Sequence, residues 1–182
     1  MANVTLYPTA DVTLSLADAD TNKEAGRIIQ CGFTVYKYNS LLKFGGLSSV
    51  TGAVGAATLK LYYESGTLAD QVVDIYRLRR SDWSVTQATW NSYKTGSSWG
   101  TAGGSNTATD IYSSKMATSV TLSSSDITIT LDAAEVEAMR QENNGINIVS
   151  LTGYPSGDRA YYDVDNGEAL GKSPELTVTF SG

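Results

Sequence analysis

The sequence predicts an all-β protein, an antiparallel jelly-roll β-sandwich, from three observations. Apolar and polar residues alternate in short runs, Gly, Asn, Asp and Ser separate these runs, and charged residues make up only 18% of the chain. Alternation gives each strand one polar and one apolar face, which is typical of antiparallel sheets packed on one core. A chain of 182 residues is long enough for one such core, so we expect residues 1–182 to form a single domain.

The alternating runs define the expected strands in chain order. They are Val12–Leu16, Arg27–Phe33, Ser40–Phe44, Ala57–Tyr63, Val72–Leu78, Ser119–Leu122, Asp126–Asp132, Ile146–Leu151, Arg159–Val164 and Pro174–Phe180. Because side chains point to opposite faces in turn, the apolar member of each pair is expected inside. The core residues predicted in this way are Leu42, Phe44, Leu59, Leu61, Ile129, Leu131, Leu176, Val178 and Phe180.

One helix is expected, at residues 133–143, within the run DAAEVEAMRQENNG. Asp132 can cap its first turn, and Glu135, three residues later, would complete a capping box. Val136 and Met139 form a narrow apolar stripe, and Asn144–Gly145 supplies the stop signal. We interpret this helix as a connector that covers one end of the core.

The three tryptophans all lie between Arg80 and Gly100. Burial of one indole ring removes roughly 150–250 Å² from water, so a marginally stable domain gains much by covering it. We therefore predict that Trp83 and Trp90 pack in the core, with their N–H groups bonded to loop carbonyls. Trp99 lies in a polar, Gly-rich loop near Tyr93, and we predict that it faces the solvent.

Composition excludes several classes of function. The net charge of −6 and the absence of a large basic cluster disfavour nucleic acid as a partner. No apolar run approaches the roughly 20 residues that span a bilayer, so membrane insertion is not expected. The chain has no histidine and one cysteine, Cys31, which excludes Ser-His-Asp and Cys-His catalysis and an internal disulfide. We expect a non-catalytic protein with a buried, inert thiol.

The order of several short motifs resembles the DNRLRE-domain family, jelly-roll sandwiches related to disaggregatase-associated domains. The matching motifs are Leu41–Phe44, Gly52–Ala53, Ala57–Leu61, Asp82–Ser84 with Thr89–Trp90, and Pro174–Val178. The sequence departs from the family pattern at Gly45, where the family has Asp, and in the longer segment 91–108. Some members are classed as alginate-binding carbohydrate-binding modules. The resemblance implies a sandwich fold without catalytic activity, and it does not fix a ligand.

Two ligand hypotheses follow for the surface. An acidic polysaccharide would stack on aromatic rings and pair its carboxylates with cations, and the candidates are Trp99, Tyr93, Tyr62, Tyr76, Arg77, Arg79 and Lys60. Calcium prefers several oxygen ligands, and the oxygen-rich runs ADADTN and DVDNGE suggest a site at Asp163, Asp165 and Glu168. Turn formation by Asp and Asn is the simpler interpretation of both runs.

Two functions are weighed as the main alternatives. The first is a structural or adhesive protein on a phage particle, as a head decoration or tail-associated subunit, with capsid or appendage subunits as partners. The second is a polysaccharide-binding module of a secreted or cell-surface protein. The chain would lie on the virion surface in the first case and outside the cell in the second, and both are compatible with a homo-oligomer. We predict the first.

Overall fold

The computed structural model describes residues 2–26, 37–66, 71–151 and 159–181. The expected strand Arg27–Phe33, with Cys31, lies outside these residues. The described strands are β1 (Ala2–Leu6), β2 (Pro8–Ser15), β3 (Tyr38–Phe44), β4 (Ala53–Leu61), β5 (Tyr63–Gly66), β6 (Gln71–Leu78), β7 (Ser92–Lys94), β8 (Ser97–Ser98), β9 (Ile111–Leu122), β10 (Ile127–Leu131), β11 (Ile146–Ser150), β12 (Arg159–Tyr161) and β13 (Glu175–Ser181). The helices are α1 (Ala133–Glu142), α2 (Val164–Glu168) and a 3₁₀ turn at Leu47–Ser49.

The two main sheets confirm the antiparallel jelly-roll sandwich. One sheet has the strand order β1-β13-β4-β10, and the other has the order β2-β3-β11-β6-β9. All pairings within them are antiparallel. Strands that follow one another along the chain repeatedly change sheet, which produces the interleaved order of a jelly roll.

The inner core fills the space between the two sheets. It contains every core residue predicted from the alternating strands: Leu42, Phe44, Leu59, Leu61, Ile129, Leu131, Leu176, Val178 and Phe180. Cross-strand register explains the packing, since Leu176 lies opposite Leu59 and Val178 lies opposite Ala57 in the four-stranded sheet. The alternation of apolar and polar residues in these strands therefore identifies residues of the inner core.

A second apolar cluster, which we call the outer cluster, lies on the other face of the five-stranded sheet. Its members are Val12, Leu14, Leu41, Leu78, Trp83, Ala88, Trp90, Trp99 and Ile111. Leu41 belongs to this cluster while its neighbour Leu42 belongs to the inner core, because consecutive strand residues face opposite sides. The loop between β6 and β9, residues 79–110, covers this face with its three indole rings.

Asp110 organises that loop. Its buried carboxylate accepts hydrogen bonds from the backbone N–H groups of Gly100 at 2.9 Å, Thr101 at 3.0 Å and Asn106 at 3.2 Å. Charge-assisted bonds of this kind are stronger than neutral ones, and they hold the part of the loop after β8, which has no regular secondary structure, in one conformation. The Gly-rich stretch is therefore a folded cover for the sheet.

The helix α1 matches the predicted helix closely, and its cap matches in part. The Asp132 side chain accepts from Glu135 N–H at 3.0 Å, and Val136 and Met139 are buried. The prediction that Glu135 completes the capping box is wrong, because its carboxylate instead accepts a hydrogen bond from Arg77 Nε at 3.0 Å. The helix ends at Glu142, where Asn143 takes the left-handed conformation with a φ of 52°.

Substitution of Asp132 tests the cap directly. We expect Asp132→Ala to lower the free energy of unfolding by about 1 kcal/mol, because the first turn of α1 loses a side-chain acceptor. Asp132→Asn keeps the acceptor and should remain close to the wild type. Urea unfolding followed by circular dichroism measures both, and equal stability of the alanine variant and the wild type would show that the cap contributes nothing.

One predicted strand is shorter than expected. The run Arg159–Val164 forms β12 only as far as Tyr161, and Val164 begins α2. The Asp163 side chain causes this change, because it accepts from Asn166 N–H at 2.6 Å and caps the helix. The segment that the sequence suggested as a strand and turn therefore contains a second helix.

Candidate functional site

A cleft lies at the edge of the sandwich, where the chain passes from one sheet to the other. Leu6 ends β1 in the four-stranded sheet and Pro8 begins β2 in the five-stranded sheet, so Tyr7 lies at the crossover. The cleft has a volume of about 340 Å³, and its lining residues are Tyr7, Pro8, Val164, Glu168, Gly171 and Ser173. We call it the Tyr7 cleft.

Tyr7 is the most exposed aromatic side chain among the described residues, at 54%. Other tyrosines have a ring face occupied by a cation at 3.5–5.9 Å from the centroid: Tyr62, Tyr63, Tyr76, Tyr93, Tyr112 and Tyr162. These cation–π contacts use ring surface that a ligand would otherwise contact. Tyr7 thus offers an aromatic surface in a concave site.

Part of the cleft wall is formed by α2 and the segment that follows it. Gly167 O accepts from Lys172 N–H at 2.9 Å, and Ser173 Oγ donates to Val164 O at 3.3 Å. A Cβ atom at position 167 would lie 2.7 Å from Ser173 N, which is closer than a side chain can approach backbone. Glycine at 167 therefore allows the close approach that shapes the cleft.

An acidic pocket of about 90 Å³ adjoins the cleft and shares Val164 with it. Asp11, Glu24 and Asp165 line this pocket, so β2 and α2 bring together residues more than 130 positions apart. The pKa of Asp11 is raised from 3.8 to about 7, chiefly by burial and next by the charge of Asp163. The charges of Asp165 and Glu24 also raise this pKa, and a hydrogen bond from Val164 N–H lowers it.

The structure does not group the predicted calcium ligands around a common point. Both carboxylate oxygens of Asp163 accept hydrogen bonds from Asn166, whereas Asp165 and Glu168 are exposed. Within residues 2–26, 37–66, 71–151 and 159–181, no three His, Cys, Asp or Glu side chains are placed so that they could hold a metal ion. The Asp and Asn residues of DVDNGE build α2 instead.

The prediction that Trp99 faces the solvent is wrong. Trp99 is only 6% exposed, and its Nε1 donates to Thr89 O at 3.0 Å in the outer cluster. Tyr93 packs on it with 5.5 Å between ring centroids, and Arg80 lies 4.0 Å from the Tyr93 centroid. Trp83 and Trp90 are buried beside it at 7% and 6%. All three indole rings are therefore buried in the outer cluster.

The other predicted ligand residues do not converge on one site. Lys60 and Tyr62 lie on or next to β4, and Tyr62 Oη donates to Glu175 Oε1 at 2.6 Å. Tyr76 and Arg77 lie on β6 in the other sheet. Arg77 is buried and is paired with Glu135 at 3.0 Å and with Glu142 at 2.6 Å. These groups form two separate, internally bonded sets.

Arg79 also makes bonds within the chain. Its Nε donates to Thr107 O at 3.1 Å and to Ile111 O at 3.0 Å, and its guanidinium lies 4.1 Å from the Tyr112 centroid. Arg77 and Arg79 therefore stabilise the fold around β6 and β9, whereas Lys60 lies on β4. Sequence reasoning missed Tyr7, although Pro8 within a run of alternating residues is a weak signal that one strand ends and another begins there.

Fold and comparison together define the class of protein. The edge cleft with an exposed aromatic ring is concave and partly apolar, as ligand sites in proteins usually are. Residues 2–121, more than half of the chain, match carbohydrate-binding module family 96, and the chain belongs to this family. Comparison with curated proteins gives no match. Families of this kind are typically non-catalytic.

Family membership bears on partner and location as well. It supports polysaccharide as the class of partner and a place outside the cell or on a surface. It gives no support to the prediction of a phage-particle component. Among the helices described, none combines the length and apolar character needed to cross a membrane.

Proposed function

We propose that this protein binds polysaccharide without catalysis, and that the Tyr7 cleft is the binding site. The observation that carries the proposal is the exposed ring of Tyr7 beside a cleft of about 340 Å³. Ligand sites are concave, mostly apolar, and often about 300–1,000 Å³ in volume. The cleft therefore has room for one short stretch of a sugar chain.

The chemistry of the lining suits a sugar ring. One face of a pyranose presents C–H groups, which pack on an aromatic face, while the hydroxyl groups need hydrogen-bonding partners. Tyr7, Pro8 and Val164 supply apolar contact, and Glu168 and Ser173 supply polar atoms. Stacking fixes the ring, and the polar groups fix its orientation.

The lining also favours binding over hydrolysis. A glycosidase uses two carboxyl groups that flank the scissile bond. Glu168 is the one carboxylate among the described residues that line the cleft. The absence of histidine from the chain removes the commonest general base.

The test is Tyr7→Ala, measured by isothermal titration against a panel of soluble polysaccharides. We expect at least a tenfold loss of affinity, because the variant removes the stacking surface, while the free energy of unfolding stays nearly unchanged at this exposed position. Leu16→Ala is the matched control, since Leu16 is 42% exposed and does not line the cleft.

Three outcomes would contradict the proposal. The first is wild-type affinity in the Tyr7→Ala variant, which would place the site elsewhere on the surface. The second is failure of the wild type to bind any polysaccharide of the panel. Loss of affinity in Leu16→Ala equal to that in Tyr7→Ala would also remove the assignment to this cleft.

A further inference from the structure

A further cavity, of about 320 Å³, lies at the opposite end of β2 from the Tyr7 cleft. To its lining β2 contributes Thr13 and Ser15, β5 contributes Glu64 and α2 contributes Asn166. Lys23 also lines it, and because this side chain is 39% exposed, the cavity opens to solvent there. We call it the polar cavity.

The polar cavity borders the inner face of the five-stranded sheet, where apolar residues are the rule. Val12 and Leu14 belong to the outer cluster, so the alternate residues of β2 face the space between the sheets. Thr13 lies opposite Ser40 in the ladder of β2 and β3. Both are buried, and Ser40 Oγ has no hydrogen-bond partner among the described residues. The inner face of β3 thus changes from hydroxyl-bearing at Ser40 to apolar at Leu42.

Buried hydroxyl groups beside a cavity point to an occupant that forms hydrogen bonds. A buried polar group costs free energy unless it is hydrogen-bonded, and the polar cavity is far larger than the space that one water molecule needs. Sugar hydroxyl groups can replace several waters and keep their hydrogen bonds. The polar cavity therefore suits a sugar unit that is held by hydrogen bonds, in contrast to stacking at Tyr7.

Both sites border β2 and α2. On α2, Val164 lines the Tyr7 cleft and Asn166 lines the polar cavity. On β2, Pro8 belongs to the first site and Thr13 to the second. Five residues of strand separate Pro8 from Thr13, a distance of about 17 Å at roughly 3.3–3.4 Å per residue. A linear chain of a few sugar units covers this distance.

We infer that the polar cavity is a second subsite for the polysaccharide chain that the Tyr7 cleft binds. The inference rests on the proposed function, since it extends the same site. One sugar unit stacks on Tyr7, and a unit further along the chain forms hydrogen bonds with Thr13, Glu64 and Lys23. The second contact is intramolecular once the first has formed, so a linear polysaccharide that is long enough for both gains affinity.

The experiment measures affinity and stoichiometry by isothermal titration with cello-, manno- and alginate oligosaccharides of two and six units. In the series that binds, we expect the six-unit oligomer to bind at least tenfold more tightly than the two-unit oligomer, with one oligomer per protein molecule. Lys23→Met should weaken binding of the six-unit oligomer severalfold and leave the two-unit oligomer nearly unchanged, because the shorter chain does not reach both subsites.

Lys94→Met is the matched control. Lys94 pairs with Asp82 at 2.6 Å and is 37% exposed, much as Lys23 pairs with Asp18 at 2.9 Å. The two substitutions change the net charge equally, and Lys94 lines neither the polar cavity nor the Tyr7 cleft. We therefore expect Lys94→Met to bind oligomers of both lengths like the wild type.

The outcomes separate this inference from the proposal on which it rests. Tyr7-dependent binding with equal affinity for the two lengths would overturn the inference and leave the proposed function standing. Equal effects of Lys23→Met and Lys94→Met on the six-unit oligomer would do the same. Two six-unit oligomers per protein molecule would show two independent sites and would also overturn the inference. Absence of binding to every oligomer would overturn both.

Discussion

Replacement of Trp99 by alanine is expected to destabilise the protein by about 3–5 kcal/mol. The ring is buried in the outer cluster, its Nε1 donates to Thr89 O, and Gly104 packs against it so closely that a Cβ there would lie 3.3 Å from the indole. Deletion leaves a cavity and an unpaired buried carbonyl. Urea unfolding followed by far-ultraviolet circular dichroism measures the loss.

Two comparisons make the Trp99 result specific. Trp99→Phe keeps most of the ring volume and loses the N–H donor, so its loss of stability should be smaller than that of Trp99→Ala. Folded Trp99→Ala should keep its affinity for polysaccharide, because the residue does not line the Tyr7 cleft. A stability within 1 kcal/mol of wild type would show that the Trp99 ring does not stabilise the outer cluster. Loss of binding by the folded variant would show that Trp99 contributes to the ligand site.

Replacement of Asp11 by asparagine is expected to stabilise the protein at alkaline pH. The pKa of Asp11 is raised from 3.8 to about 7, chiefly by burial and next by the charge of Asp163. Folding therefore favours the protonated carboxyl, and the penalty for ionisation grows from pH 4 to pH 7 and is complete above that. A raised pKa of this size corresponds to a penalty on the order of 4 kcal/mol at pH 8.

The sign of the Asp11 effect can be checked by its dependence on pH. Asn can still accept the hydrogen bond from Val164 N–H, so the variant resembles the protonated wild type near pH 4 and exceeds it in stability at pH 8. Asp20→Asn is the matched control, because this exposed aspartate also accepts a hydrogen bond from an amide group, Asn91 Nδ2 at 2.8 Å. A gain that is the same at pH 4.5 and pH 8 would refute the proposed cause.

Strands and inner core could be predicted from the sequence because their signal is local. In β10, Ile129 and Leu131 alternate with threonines, and this pattern alone fixes which face is buried. The same holds for Leu176 and Val178 in β13. Because the alternation indicates for each residue whether it is buried, the sequence of these runs is sufficient to predict the strands and the inner core.

The site could not be predicted because its determinants are distant in sequence. The burial of Trp99 depends on Asp110, whose main partners are backbone N–H groups that leave no mark in the sequence. The Tyr7 cleft needs the change of sheet at Pro8 and the packing of α2 against it. Alternation at Val4, Leu6, Val12 and Leu14 continues without a change of phase, so it does not reveal that change.

The covering of the five-stranded sheet by residues 79–110 has a consequence for how a long polymer is held. Its covered face is closed to an extended chain, and the proposed contact lies instead on the flank of the sandwich. A site on the flank contacts only a few sugar units, so affinity should stop increasing with chain length once the oligomer exceeds a few units. Firm retention on a fibre or cell wall would then come from avidity, through several copies displayed together.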